Sequence, residues 1–293
     1  MLKSKREKRA RESSRSYHAR LPLKVYVALI FILLYLPIIS VIVFSFNASS
    51  SAVHWGGFTL MWYQRLFRNM TLMEDLFNTV TIAFLATLIS TVIGTLGAIG
   101  LGEYSRRYPH FTNLVLSVNN LPVVNPDIVT AVSLMTLFLA LKSVLPMGYV
   151  TMLLAHIAFC TPYVVIQVYP KVLSQDPSEV EAALDLGATK RQALFKVVLP
   201  DLLPAILSGA MLAFTMSFDD FIISYFVGGN VQNISVYAYS MKKFKPVVNA
   251  LSSLIFFAVA ILILAYELIR GRKSAKDDED EYESRKNLKK AHA

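Results

Sequence analysis

LFNTVTIAFLATLISTVIGTLGAIGLG, residues Leu76 to Gly102, contains no charged side chain. Roughly 20 apolar residues suffice to cross the hydrocarbon core of a bilayer as a helix, so this stretch is long enough to be a span. Ala86, Ser90, Gly94, Ala98 and Gly102 recur within it at a spacing of four. That spacing predicts a stripe of small side chains along which another backbone can approach closely. The glycines do not form a phosphate loop, which needs a strand before it and a helix after it. No G-x-x-x-x-G-K-[ST] sequence occurs anywhere in the chain, so ATP is not bound here by a P-loop.

Further uncharged runs cover Val25 to Gln64, Ile128 to Leu141, Ser143 to Pro170, Leu202 to Phe218, Phe221 to Met241 and Pro246 to Tyr266. Overall 55% of the 293 residues are hydrophobic and 17% are charged. An ordinary soluble domain carries about 25% charged residues spread along its length, so a soluble enzyme is excluded and the chain reads as an all-α polytopic membrane protein. The net charge of +9 does not form a nucleic-acid face, because nine Lys or Arg lie in the first 24 residues and eight in the last 24. Basic residues are retained on the cytoplasmic side of spans, which places both termini inside and requires an even number of crossings.

Six transmembrane helices fit: roughly Lys24 to Phe46, Asn78 to Leu101, Phe111 to Leu141 with a break, Gly148 to Tyr169, Leu202 to Val227, and Val247 to Ile269. The domain organisation is then a basic cytoplasmic tail at 1–23, a transmembrane domain at 24–269 and a charged cytoplasmic tail at 270–293. With this assignment 23 basic residues face the cytoplasm and six face outward, Lys242, Lys243 and Lys245 among them. The first apolar run exceeds a signal-peptide core and stays attached as a span. Cys160 is the single cysteine; it excludes an intrachain disulfide and reads as a small buried residue of span four. No metal-ligand cluster and no catalytic constellation stands out.

Span three is interrupted at Pro122 and at Asn125-Pro126-Asp127. Proline removes a backbone donor and clashes with the preceding turn. Such breaks at membrane depth occur where protein or a water-filled cavity satisfies the freed carbonyls. Trp62, Tyr63, Leu66, Phe67 and Met70, and likewise Ile234, Tyr237, Met241 and Phe244, recur at helical spacing. They predict two short amphipathic helices at the outer interface, in contact with membrane lipid or with a docking partner.

The segment Gln175 to Pro204, QDPSEVEAALDLGATKRQALFKVVLPDLLP, has a different character. Asp176, Pro177 and Glu179 supply an N-cap, a first-turn proline and an acid three residues after the cap. A helix begins there and stops at Gly187, suited to the left-handed turn that ends helices. Thr189 and Gln192 offer a capping box for a second helix leading into span five. Ala182 and Ala183 leave a smooth surface, and Glu181 offers a carboxylate to a basic partner.

Glu181-Ala182-Ala183, Gly187, Val197 and Leu199-Pro200, at this spacing between the fourth and fifth spans, resemble the EAA signature of permease subunits of ATP-binding-cassette importers. Val197 stands where that family usually has Ile. The resemblance extends over the six spans. It is closest to the second permease of spermidine/putrescine importers, with which Gly57-Phe58-Thr59, Trp62-Tyr63, Pro126-Asp127-Ile128-Val129, His156-Ile157-Ala158-Phe159-Cys160, Ser217-Phe218-Asp219-Asp220 and Asn249-Ala250-Leu251 are shared. It implies the type I ABC importer permease (MetI-like) fold in a bacterial cytoplasmic (inner) membrane. The loop 175–200 would then carry ATPase coupling through Glu181, Ala182, Ala183, Gly187, Leu199 and Pro200. The implied partners are a homologous second permease subunit, two copies of an ABC ATPase that bind ATP and Mg, and an extracytoplasmic polyamine-binding protein. No cofactor is implied for this chain.

Intramembrane acids are costly and usually face a bundle interior, a cavity or a partner. Asp127, at the break of span three, and Asp219 and Asp220, late in span five, are therefore candidates for the substrate path. On one continuous helix the last two diverge by about 100°, so one can line the path while the other holds a neighbouring helix. A polyamine is a flexible multiple cation, and carboxylates with aromatic faces suit it; Phe218, Phe221 and Tyr225 flank the pair. The alternative, that these acids cap backbone groups or pair with His156 or tyrosines, stays open. The expected function is inward translocation of spermidine or putrescine driven by ATP hydrolysis on partner subunits. Rivals are a permease for iron, sulfate or a phosphonate, and an intramembrane aspartyl hydrolase. The hydrolase needs two Asp from separate helices, whereas Asp219 and Asp220 are adjacent. A secondary transporter has no need of the loop.

Overall fold

The computed structural model describes residues 2–51, 54–241, 246–261 and 264–265, and their side chains from Lys24 onward except Arg106. The C-terminal tail 270–293, the end of the sixth expected span, Phe244 and the lysines at 242, 243 and 245 lie outside the described residues. Among the described residues the chain is helical without strands; one isolated bridge joins Asn47 and Phe58. It divides into two compact units, Met1–Arg68 with Lys243–Ala293, and Asn69–Lys242.

In the first unit, α1 (Leu2–Ser45) contains the apolar span Lys24–Ser45. Asn47 organises the loop that follows. Its amide nitrogen donates to the His54 carbonyl at 2.7 Å and its carbonyl oxygen accepts the Gly56 N–H at 2.7 Å. The first expected interfacial helix is α2 (Met61–Arg68), with Trp62 and Leu66 buried. Met70 does not belong to it, because the Asn69 side chain accepts the Leu72 N–H and starts a new helix. Tyr63 Oη lies 2.8 Å from Ser45 Oγ and 3.2 Å from Ser253 Oγ, within hydrogen-bonding reach of both. A further apolar helix of this unit is Pro246–Ile261.

The second unit is built on α3 (Met70–Arg107), α4 (Pro109–Val124), α5 (Asp127–Ala140) and α6 (Tyr149–Ser174). After α6 come α7 (Pro177–Asp185), α8 (Lys190–Ala193), a π-helical turn at Leu194–Val198, α9 (Leu199–Asp219), α10 (Ile222–Val227) and α11 (Ile234–Ser240). All five small residues of the α3 stripe are buried. They let α3 pack closely on α6: a Cβ on Gly94 would stand 2.7 Å from the Val164 Cβ. Ile82, Met152, Phe159, Val164, Val168 and Leu202 belong to the core between α3, α6 and α9.

Among the described residues four helices are long and apolar enough to cross a membrane, or five if α4 and α5 count as one bent span. Those two meet at 106°. The bend falls at Asn125-Pro126, where Asn125 is extended, as the steric demand of a following proline requires. Pro122 lies inside α4 without ending it. One expectation is overturned here: Leu202 to Val227 is not a single helix. α9 ends at Asp219, Asp220 is extended at φ −62° and ψ 129°, and α10 begins at Ile222.

Candidate functional site

The first candidate region is the loop between α6 and α9. Asp176 accepts the Ser178 N–H at 2.9 Å and so caps α7. The Ser178 backbone N–H, and then its hydroxyl, hold the Asp176 carboxyl below its ordinary value of 3.8. At the other end the Ala188 N–H reaches the Ala183 carbonyl at 3.0 Å and the Gly187 N–H reaches the Leu184 carbonyl at 2.9 Å. This is a Schellman ending, and it holds Gly187 at φ +87°, a conformation available to glycine without a Cβ penalty. Thr189 and Gln192 then form a reciprocal capping box.

None of the α7 side chains is buried. Glu181 and Ala182 are exposed, Ala183 is half-buried, and Leu186, just before the glycine, is 89% exposed. Leu199 is half-buried and Pro200 exposed at the start of α9. The base of the loop is clamped: Lys171 Nζ donates to Asp201 Oδ1 at 2.8 Å, and Gln175 Nε2 donates to Asp201 Oδ2 at 3.0 Å and to the Val198 carbonyl at 3.2 Å. Behind α7 lies a cavity of about 490 Å3, lined by Ile99, Glu103, Val172, Glu181, Leu184 and Lys190 among others. Geometrically this is a short helix held out from the bundle with an uncovered apolar tip and a fixed root.

The second region surrounds the break between α9 and α10. Asp220 is nearly buried, its side chain 7% exposed. Its Oδ1 accepts the Ile223 N–H at 3.2 Å, and Oδ2 accepts the Ser224 N–H at 2.7 Å and hydroxyl at 2.8 Å. His156 of α6, 1% exposed, places Nε2 at 3.4 Å from Asp220 Oδ2 and 3.0 Å from Ser224 Oγ, and Nδ1 at 2.7 Å from Ser217 Oγ. Because the Ser224 hydroxyl donates to Asp220, it accepts from His156, which selects the Nε2–H tautomer. Asn233 closes the cluster by donating to the Asp220 carbonyl at 2.7 Å and to Ser224 Oγ at 2.8 Å.

The adjacent acids therefore have different surroundings. Asp220 caps a helix and holds α6, α10 and the start of α11 together. Asp219 is exposed and has no hydrogen-bond or ion-pair partner among the described residues. Asp127, at the first turn of α5, is likewise exposed. Phe218 is half-buried and stacks on Phe214 at 5.7 Å. Phe221 and Tyr225 lie 5.6 Å apart, and Tyr239 of α11, which the sequence pattern did not single out, joins them at 4.5 Å from Phe221. The sequence signal available for Asp220 was an acid four residues before Ser224, in a stretch without Pro or Gly.

Residues 94–272 match the family of binding-protein-dependent transport system inner membrane components. The chain is 36% identical over 252 residues to the spermidine/putrescine transport system permease protein PotC of Haemophilus influenzae, covering 85% of this chain and 96% of the relative. It is 37% identical over 252 residues to PotC of Escherichia coli strain K12, covering 85% and 94%. It is 35% identical over 264 residues to the putrescine transport system permease protein PotI of the same strain, covering 87% and 93%. Among solved structures, a bacterial ABC transporter importing the acidic polysaccharide alginate aligns with a TM-score of 0.64 at 15% identity, over 84% of this chain and 93% of that one. The inward-facing MetNI methionine ABC transporter aligns at 0.53 and 17% identity, over 71% and 95%. The PotC and PotI relatives are transport permease subunits and not enzymes; in an ABC importer nucleotide binding belongs to separate ATPase subunits. The chain belongs to the family of inner membrane components of binding-protein-dependent transport systems, and is a permease subunit of an ABC importer.

Proposed function

We propose that this chain carries polyamines, spermidine or putrescine, inward across the bacterial cytoplasmic membrane. The observation that carries the reading is its 36–37% identity to PotC proteins over 85% of its length. In this reading it crosses the membrane six times with both charged tails, 1–23 and 270–293, in the cytoplasm. The sixth crossing begins with Pro246–Ile261. It pairs with a homologous second permease, receives substrate from an extracytoplasmic polyamine-binding protein, and is driven by two ATPase subunits that bind ATP and Mg.

The ATPases push on the loop around Glu181, Ala182, Ala183 and Gly187, and the clamp of Lys171 and Gln175 on Asp201 passes the motion to α6 and to α9 at Leu199 and Pro200. The uncovered apolar tip at Leu186 supports this role. Asp127 and Asp219, exposed and without an ion-pair partner among the described residues, present charge to a multiply cationic substrate, and Phe218, Phe221 and Tyr225 supply apolar and π surface to its methylene and ammonium groups. Asp220 contributes by fixing the helix break beside them. The test is uptake of labelled spermidine by cells whose only polyamine importer contains this chain. Uptake that needs the ATPase and is competed by putrescine is expected; competition by iron, sulfate or a phosphonate instead of putrescine would refute the substrate class.

A further inference from the structure

Tyr239 stands in a position that chain neighbours do not explain. It belongs to α11, yet its ring lies 4.5 Å from that of Phe221 and 6.2 Å from that of Tyr225, while Phe221 and Tyr225 are 5.6 Å from each other. The three rings form one cluster drawn from two elements. What brings α11 there is Asn233, whose amide nitrogen bonds the Asp220 carbonyl and Ser224 Oγ while its Oδ1 caps α11 at the Val236 N–H, 2.8 Å away. On the other side the Ile234 N–H donates to Thr79 Oγ1 of α3 at 2.8 Å. The polar cluster that breaks α9 therefore also sets the third ring in place.

A cluster built for packing would bury its rings, but Tyr225 is 54% exposed and Tyr239 is 69% exposed. Neither hydroxyl has a hydrogen-bond partner among the described residues, so it is the ring faces that the fold positions. Two residues before Phe221 in the chain stands Asp219, exposed and without a partner among the described residues. Electron-rich ring faces with a carboxylate close by in the chain favour a cation over a lipid tail, because the ring quadrupole attracts positive charge and the acid neutralises it. We infer that Tyr239 joins Phe221 and Tyr225 in a receptor for an alkylammonium group of the transported substrate, with Asp219 as its counter-charge. The inference rests on the polyamine reading above and adds to it a residue from a different helix.

The test uses the whole importer, with its partner subunits, in cells lacking other polyamine uptake. Tyr239→Phe keeps a π face and serves as the reference. Phenylalanine carrying one, two and three ring fluorines is then placed at 239 by nonsense suppression, which drains the ring face of negative potential with little change of volume. KM for labelled spermidine should climb with each fluorine, to about tenfold at three, while the maximal rate and the amount of assembled complex stay level. A flat KM series overturns the inference and leaves Tyr239 as a membrane-interface or subunit-packing residue. A fall in maximal rate or in assembled complex at constant KM overturns it as well. If the unsubstituted importer takes up no polyamine, the substrate reading fails first and this one with it. A polyamine importer indifferent to fluorination sinks this inference alone.

Discussion

A Cβ built on Gly94 would lie 2.7 Å from the Cβ of Val164. The α3 and α6 backbones have thus approached until a single methyl group has no room, and at Gly102 an added methyl group would run into the Val172 Cγ1 methyl. Gly97 and Gly100, on the same helix, would each meet nothing within 4 Å of an added methyl group and mark the open side.

Gly94→Ala should therefore destabilise the bundle, by about 1–3 kcal/mol as expected for overpacking. Gly97→Ala should be neutral or slightly stabilising, since it replaces a helix-interior glycine. Thermal unfolding of the detergent-purified complex compares the two; equal midpoints would contradict the seam.

Replacing Gly187 by Ala forces an L side chain into φ +87°, at a cost of roughly 1–2 kcal/mol. The space around it is open, so the penalty is conformational. The coupling role proposed for the loop predicts that Gly187→Ala inserts normally but shows reduced ligand-stimulated ATP hydrolysis, and that Gly187→Asn, better tolerated in the left-handed region, lies between it and the native protein. Assay of the reconstituted importer reads this directly, and full stimulation in the Ala variant would remove the glycine turn from coupling.

The two neighbouring acids should separate cleanly. Asp220→Ala leaves the Ile223 and Ser224 N–H groups and the Ser224 hydroxyl without their acceptor, for a loss of about 1–3 kcal/mol, seen as poor assembly. Asp219→Asn should shift stability by no more than about 0.5 kcal/mol while lowering polyamine uptake. Unfolding midpoints and uptake rates measured on both variants decide; an Asp219→Asn protein with native uptake would take that acid off the path.

Asp176 sets a pH dependence with a definite sign. Its folded carboxyl titrates below the ordinary 3.8, so the cap's contribution is present above that value and is lost as pH falls through the lower, folded one. The protection of the first-turn amides of α7, that is, their exchange relative to the intrinsic rate at each pH, should stay constant from pH 7 to 5 and fall only under stronger acid. Asp176→Asn, whose amide oxygen caps without titrating, should abolish that acid limb.

The local features were legible because each rests on a rule that needs no neighbour. Lengths without charge located the apolar helices, the four-residue spacing located the α3 seam, and the demand for positive φ located the end of α7 at Gly187. The α3 helix ran past both ends of its expected span, to Met70 and Arg107, since polar ends of a helix carry no charge-free signature. The break at Asp220 was not legible: Ser217-Phe218-Asp219-Asp220-Phe221 contains neither Pro nor Gly, and the acid's partner His156 lies more than sixty residues earlier. Tyr239 escaped for the same reason, since its significance arises only where α10 and α11 meet.

The π-helical turn at Leu194–Val198 holds one residue more than the α-helical course on either side would use. One residue is worth about 100° of rotation about a helix axis, so the short cytoplasmic helix and the membrane segment it feeds are set out of phase. Gain or loss of a single residue there would therefore turn α8, and the chain that leads into it, by about that angle relative to α9.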